Sequence, residues 1–133
     1  MDVMNRQQRS FNMSRIRSKN TGIEKICFDF LKGNNVYFIK HYKKVTGKPD
    51  IAIPSKKKAV FIHSDFWHGW QYPKWKNRLP SQFWKTKIES NRVRDRKTIT
   101  RLRKNGWKVL VIWSHELRNN KTKTIKRLGG FVI

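Results

Sequence analysis

Apolar positions along this chain follow two rhythms in turn. Ile23, Ile26, Cys27, Phe30 and Leu31 recur at helical spacing behind Thr21-Gly22-Ile23-Glu24, a capping-box pattern, and Gly33 ends the segment. Val36-Tyr37-Phe38-Ile39 and Asp50-Ile51-Ala52-Ile53 predict short strands, the second entered through Lys48-Pro49. Pro54 to Lys57 is turn-like. Ala59-Val60-Phe61-Ile62-His63 is a continuous apolar run, the mark of a central strand covered on both faces. Gly69 to Pro80 is irregular and rich in aromatics and lysine. Trp84, Ile88, Ile99 and Leu102 then form the stripe of one long helix from about Ser81 to Lys104, stopped by Asn105-Gly106. Trp107 to Trp113 predicts a buried strand, followed by a short basic helix and a terminal strand, Phe131-Val132-Ile133. The order of elements predicts an α/β domain with helices over a mixed sheet.

Charge changes the picture at the N-terminus. Arg6, Arg9, Arg15, Arg17 and Lys19 have few apolar anchors, so residues 1–19 read as a basic arm and 20–133 as a single domain. Over the 133 residues, 32 Lys and Arg against 8 Asp and Glu give a net charge of +24, self-repulsion that a polyanion relieves. Charge alone also fits packing onto RNA or an anionic membrane surface. However, no basic amphipathic helix dominates the chain and no apolar run approaches about 18 residues, which argues against a membrane. Met1 to Ser10 is polar and lacks a signal-peptide core, so a cytoplasmic, nucleoid-associated protein is expected. The single cysteine, Cys27, excludes an internal disulfide and zinc sites built on paired cysteines; it reads as a small core hydrophobe.

In so basic a chain each acid needs a reason. Asp2, Asp29, Glu89 and Glu116 read as solvated surface charges. Asp50, after Gly47-Lys48-Pro49 at a strand start, is either a turn-capping residue or a rigidly held metal ligand; Mg²⁺ needs only one or two carboxylates beside water and phosphate oxygens. Glu24 is the acid of the capping box, and a helix-borne Glu near a metal serves both roles at once. Asp95 falls on the apolar stripe, seven residues after Ile88 and four before Ile99, and needs a partner there: a histidine, or Arg92 or Arg96 of its own helix. His63 and His68 flank Phe66-Trp67 beside Asp65, and histidines so placed suit general acid–base work or phosphate contact as imidazolium.

These residues carry a resemblance. Met13 to Thr21, Ile23-Glu24, Gly47-Lys48-Pro49-Asp50, Phe61-Ile62-His63, Phe66-Trp67-His68, Phe83-Trp84, Asn91, Arg94-Asp95-Arg96 and Gly106 to Leu110 occur in the order found in very-short-patch-repair (Vsr) DNA mismatch endonucleases, which the chain resembles from about Ser10 to Leu117. The resemblance implies a restriction-endonuclease-like PD-(D/E)xK core, a mixed central sheet flanked by helices. It implies a Mg²⁺-dependent enzyme, with Mn²⁺ as substitute, that nicks or cleaves double-stranded DNA as a monomer, at T·G mismatches, leaving 5′-phosphate and 3′-hydroxyl ends. Position by position, Asp50 and the Ile62 carbonyl correspond to metal ligands, His63 and His68 to the active-site histidines, Asp95 to the acid orienting the second, and Glu24 to a glutamate near the metal. Phe66, Trp67 and Trp84 correspond to aromatics that wedge into the base stack, with core packing as the alternative. Asn91, Arg15, Arg17 and Lys19 are the remaining expected DNA contacts.

The chain also departs from that family. Where relatives carry Cys and His ligands of a structural zinc, it has Asp65, Trp70, Tyr72 and His115, too few donors for a closed four-ligand site, so no structural zinc is expected. Asp65 is left between a pair with His115 and recruitment to the catalytic metal. The altered loop leaves two further readings open: the catalytic domain of a site-specific homing-type endonuclease, and a non-catalytic nucleic-acid-binding protein retaining the nuclease fold.

Overall fold

A computed structural model describes residues 22–133 of the chain. The basic arm, with Arg15, Arg17 and Lys19, and Thr21 of the capping box lie outside the described residues. Helix α1 spans Gly22–Gly33, strand β1 Ile39–Lys40, β2 Ile51–Ile53 and β3 Lys58–His63. A short helix α2 (Tyr72–Trp75) precedes the long α3 (Gln82–Lys104), then come β4 (Lys108–Trp113), α4 (Ser114–Asn119) and α5 (Lys121–Val132). The sheet order is β1-β2-β3-β4, antiparallel except for the β3–β4 pair, which is parallel and bridged by α3.

The continuous apolar run of β3 follows from its place between two layers. Val60 and Ile62 join Cys27, Phe28 and Leu31 of α1 and Leu128 and Val132 of α5 in the larger core. Ala59 and Phe61 face the other way, onto Leu102 and Ile99 of α3. Burial of each such aliphatic side chain contributes about 1.5–3 kcal/mol, so the α1–α5 layer dominates stability. Cys27 lies fully inside this core, and burial, then the charges of Asp50 and Glu24, push its thiol up to about 12, as befits a packing residue.

Four expectations change. The strand expected at Val36–Ile39 shrinks to Ile39–Lys40. The segment expected to be irregular contains α2 and a 3₁₀ turn at Lys76–Arg78. The expected terminal strand Phe131-Val132-Ile133 is instead the end of α5, because Thr124, Leu128 and Val132 recur every four residues and are all buried. Gly129 does not break that helix: a Cβ there would stand 3.2 Å from the Phe30 ring, so the glycine lets α5 approach α1 closely. The last strand is also less buried than expected, with only Ile112 fully covered.

Candidate active site

The site forms where β2 and β3 end against α1 and α3. The β1–β2 ladder continues past the strands, His41 N–H donating to the Asp50 carbonyl (3.0 Å) and Tyr42 N–H to that of Pro49 (3.0 Å). The connecting loop turns back at Gly47, whose φ is +82°, a left-handed conformation that favours glycine. A Cβ at Gly47 would collide with the Thr98 side chain of α3, so this loop lies directly on the long helix.

Two clusters of ionisable side chains result. In the first, Glu24 of α1, His41 and Asp50 offer one donor atom each, all within 4.8 Å of one another. Glu24 is 2% exposed, and the Ile62 N–H donates to Asp50 Oδ2 at 2.7 Å. Burial, then the neighbouring Glu24 carboxylate, raise the Asp50 carboxyl to about 7 against the pull of the Ile62 N–H. Two acids held together, Glu24 buried and Asp50 half-buried, could hold a cation. The donor set, rich in oxygen, fits a divalent ion.

In the second cluster His68 Nδ1 lies 2.6 Å from Asp95 Oδ2, so Asp95 pairs with a histidine rather than with an arginine of its own helix. The His63 ring stacks on His68 at 3.8 Å with 2° between planes, and Trp113 packs edge-on against it. Burial, then the nearby His68, hold His63 down to about 3, against the pull of Asp95. It is therefore a neutral imidazole at physiological pH, not the imidazolium considered for phosphate contact. Its Nδ1 is buried without a hydrogen-bond partner. Although these three side chains are close enough to surround an ion, imidazole lone pairs lie in the ring plane. Parallel stacked rings direct them along separate planes, so the geometry suits proton handling better than shared ligation. Both clusters open on one cleft of about 410 Å³, whose lining includes His41, Asp50, His63, His68 and the cationic Lys48 and Arg94.

The remaining expected site residues divide. Phe66, Trp67 and Trp84 gather on one half-buried patch, with Phe66–Trp84 at 6.2 Å and Trp67–Trp84 at 5.8 Å, and Phe66 also stacks on Trp75. Asn91, expected to touch DNA, is instead 6% exposed and donates its amide to the Trp67 carbonyl at 2.8 Å, so it positions the aromatic loop. Asp65 belongs to neither cluster. It accepts from His115 Nδ1 (2.8 Å), Arg118 (3.0 Å) and the His115 N–H (3.3 Å). Burial alone would raise its carboxyl, but the His115 and Ser114 hydrogen bonds outweigh burial and hold it below the usual range. Trp70 covers His115 at 4.6 Å, and Tyr72 is buried with its hydroxyl on Glu89. Glu89 is thus engaged, and Glu116, expected to be solvated, caps α4 through the Trp113 N–H (3.0 Å) and pairs with Arg127 (2.7 Å). His41 was not singled out from sequence, because its segment has no periodicity and its acids lie 17 and 9 positions away.

Residues 1–74 match the family described as DNA mismatch endonuclease Vsr. The chain is 39% identical over 121 residues to the type II nicking enzyme V.XorIIP of Xanthomonas oryzae pv. oryzae, covering 87% of this chain and 86% of that protein. It is 40% identical over 121 residues to the type II nicking enzyme V.NmeAIP of Neisseria meningitidis, covering 89% and 85%. Over 130 residues it is 33% identical to the DNA mismatch endonuclease Vsr of Escherichia coli, covering 96% and 82%. With the mixed sheet and its flanking helices, these matches define an endodeoxyribonuclease of restriction-endonuclease-like fold. The chain belongs to the DNA mismatch endonuclease Vsr family. Among the described residues, no helix is long and apolar enough to cross a membrane.

Proposed function

We propose that this enzyme uses a divalent cation, Mg²⁺ or in its place Mn²⁺, to nick duplex DNA at T·G mismatches, leaving 5′-phosphate and 3′-hydroxyl ends. The observation that supports this reading most is the joining of an acid cluster and a histidine–carboxylate pair in one cleft with a cationic rim. Asp50 and the Ile62 carbonyl would hold the cation, with Glu24 beside them. The Ile62 N–H is already turned to Asp50, and both polar groups of a strand residue face the same neighbour. A cation bound there supplies charge neutralisation for the attacked phosphate and the leaving oxygen.

The protein's own groups do the rest. Asp95 accepts the His68 Nδ1–H and fixes the tautomer, which leaves Nε2 to take a proton from the attacking water. As the water oxygen bonds to phosphorus the P–O3′ bond breaks, and the 3′ oxygen gains a proton from solvent. Neutral His63, stacked beneath, keeps the His68 ring in place and contributes an uncharged N–H donor toward the phosphate. Phe66, Trp67 and Trp84 insert at the mismatch, at an unstacking cost of a few kcal/mol per step offset by contacts to the bent duplex. Asp65, Trp70, Tyr72 and His115 stabilise their region by packing and hydrogen bonds in place of a structural zinc.

The test is a strand-specific nicking assay on T·G and matched duplexes with Mg²⁺ and with EDTA. Mg²⁺-dependent nicking that favours T·G, with ligatable 5′-phosphate ends, supports the reading. Equal cleavage of matched DNA overturns the mismatch assignment, and full activity in EDTA overturns the cation.

A further inference from the structure

His41 holds a position that the reading above does not use. Its Nε2 stands 3.3 Å from Glu24 Oε2 and 3.9 Å from Asp50 Oδ1. The placement is built rather than incidental. The residue takes a left-handed backbone (φ +46°), unusual for a side chain with a Cβ. Its N–H is tied to the Asp50 carbonyl at 3.0 Å, and its ring stands edge-on against Phe28 at 6.0 Å and 84°. A strained backbone, a ladder bond and an aromatic wall thus aim one imidazole nitrogen at the two acids.

The spacing is that of a shared coordination sphere. Six-coordinate ions with bonds of about 2.1 Å set adjacent donors about 3.0 Å apart and opposite donors about 4.2 Å apart. The two His41 distances fall between these limits. An imidazole nitrogen discriminates among ions: Mg²⁺ prefers oxygen donors, whereas later first-row ions gain from nitrogen in the order of the Irving–Williams series. We infer that His41 is a direct ligand of the cation site, making it a one-nitrogen, two-carboxylate centre that favours first-row transition ions over Mg²⁺. This rests on the reading of Glu24 and Asp50 as a cation site and adds the group that sets its selectivity.

The competing role for His41 is that of a counter-charge to the buried Glu24 and the half-buried Asp50, and the two roles predict opposite signs. Titration of the full chain with Co²⁺ and separately with Mg²⁺ by calorimetry, without DNA, distinguishes them. If His41 is a ligand, His41→Ala weakens Co²⁺ binding by at least about tenfold and leaves Mg²⁺ much less affected, so the Co²⁺/Mg²⁺ preference collapses. If His41 is only a counter-charge, its removal leaves a more negative site, both ions bind tighter, and the inference is overturned. Unchanged affinities for both ions overturn it equally. If the wild-type chain binds neither ion better than Asp50→Asn does, the cation reading itself fails, which is a separate and visible result. Circular dichroism checks that His41→Ala folds. Should it not, proton spectra of the Co²⁺-loaded wild type and of His41→Gln decide: a contact-shifted, exchangeable imidazole N–H present in the first and lost in the second supports ligation, and its absence from the first overturns it.

Discussion

Two histidine–carboxylate pairs in this molecule are close to twins in geometry and opposite in character. His68 and Asp95 meet at 2.6 Å, and His115 and Asp65 at 2.8 Å. Asp65 is saturated: besides His115 it takes the Arg118 guanidinium, and its own N–H is satisfied by Ser114 Oγ. Trp70 roofs the pair. The His68 pair instead opens on a cleft that also holds the acid cluster, beside a buried neutral histidine with an unspent nitrogen. The pair alone therefore does not make a catalytic group. Satisfied donors and acceptors make a clamp, and leftover capacity beside a second charged cluster makes a reactive site.

The strongest way to break this contrast is to remove the acid that only the cleft possesses. Asp50→Asn is expected to reduce nicking by at least about a thousandfold, since a cation contributes several kcal/mol of charge stabilisation, while gel-shift binding to duplex DNA stays within a few-fold. The same variant should be more stable than the metal-free wild type at pH 8. A carboxyl raised to about 7 by burial and by Glu24 contributes stability that is complete below the unfolded value of about 3.9 and is lost as pH rises from there through about 7. Urea melts of both proteins at pH 5 and pH 8 check the sign; no gain at pH 8 contradicts the burial argument.

Next in size come the paired histidines. His68→Ala should lower the single-turnover nicking rate by about 10²–10⁴-fold, the usual worth of a positioned general base, and His115→Ala should leave it within a few-fold. Equal losses would erase the distinction between clamp and reactive site. The smallest effect belongs to the clamp. Asp65→Ala is expected to cost about 1 kcal/mol at pH 7, read by chemical denaturation. Because its hydrogen bonds depress the Asp65 carboxyl, that stability is present above the unfolded value of about 3.9 and fades as pH falls through the lower folded value. The two proteins should converge in acid.

Periodicity carried much of this architecture, and its failures have identifiable causes. α1 and α3 were legible because each buries a regular stripe, and β2 and β3 because they are short apolar runs buried on both faces. Asp95 was legible as a partner-seeking acid because it interrupts an apolar stripe, and the stripe leads it to His68. The chain end misled because three β-branched or aromatic apolar residues after Gly129-Gly130 look locally like a strand. Their true period begins upstream at Thr124, and the first glycine serves a helix contact. Asn91 was expected to contact DNA on the family resemblance alone, and the Trp67 carbonyl holds its amide. His41 was illegible for a different reason: backbone pairing beyond a two-residue strand brings it to Asp50, and no pattern of side chains announces that.

The contact at Gly47 has a consequence for how this enzyme can vary. The loop that joins His41 to Asp50 rests there on the helix bearing Asp95, with no room for even a methyl group against Thr98. Substitution at that seam would pry apart the two ionisable clusters that share the cleft. Their spacing is thus set by an atom the chain does not have, and a side chain added at position 47 would widen it.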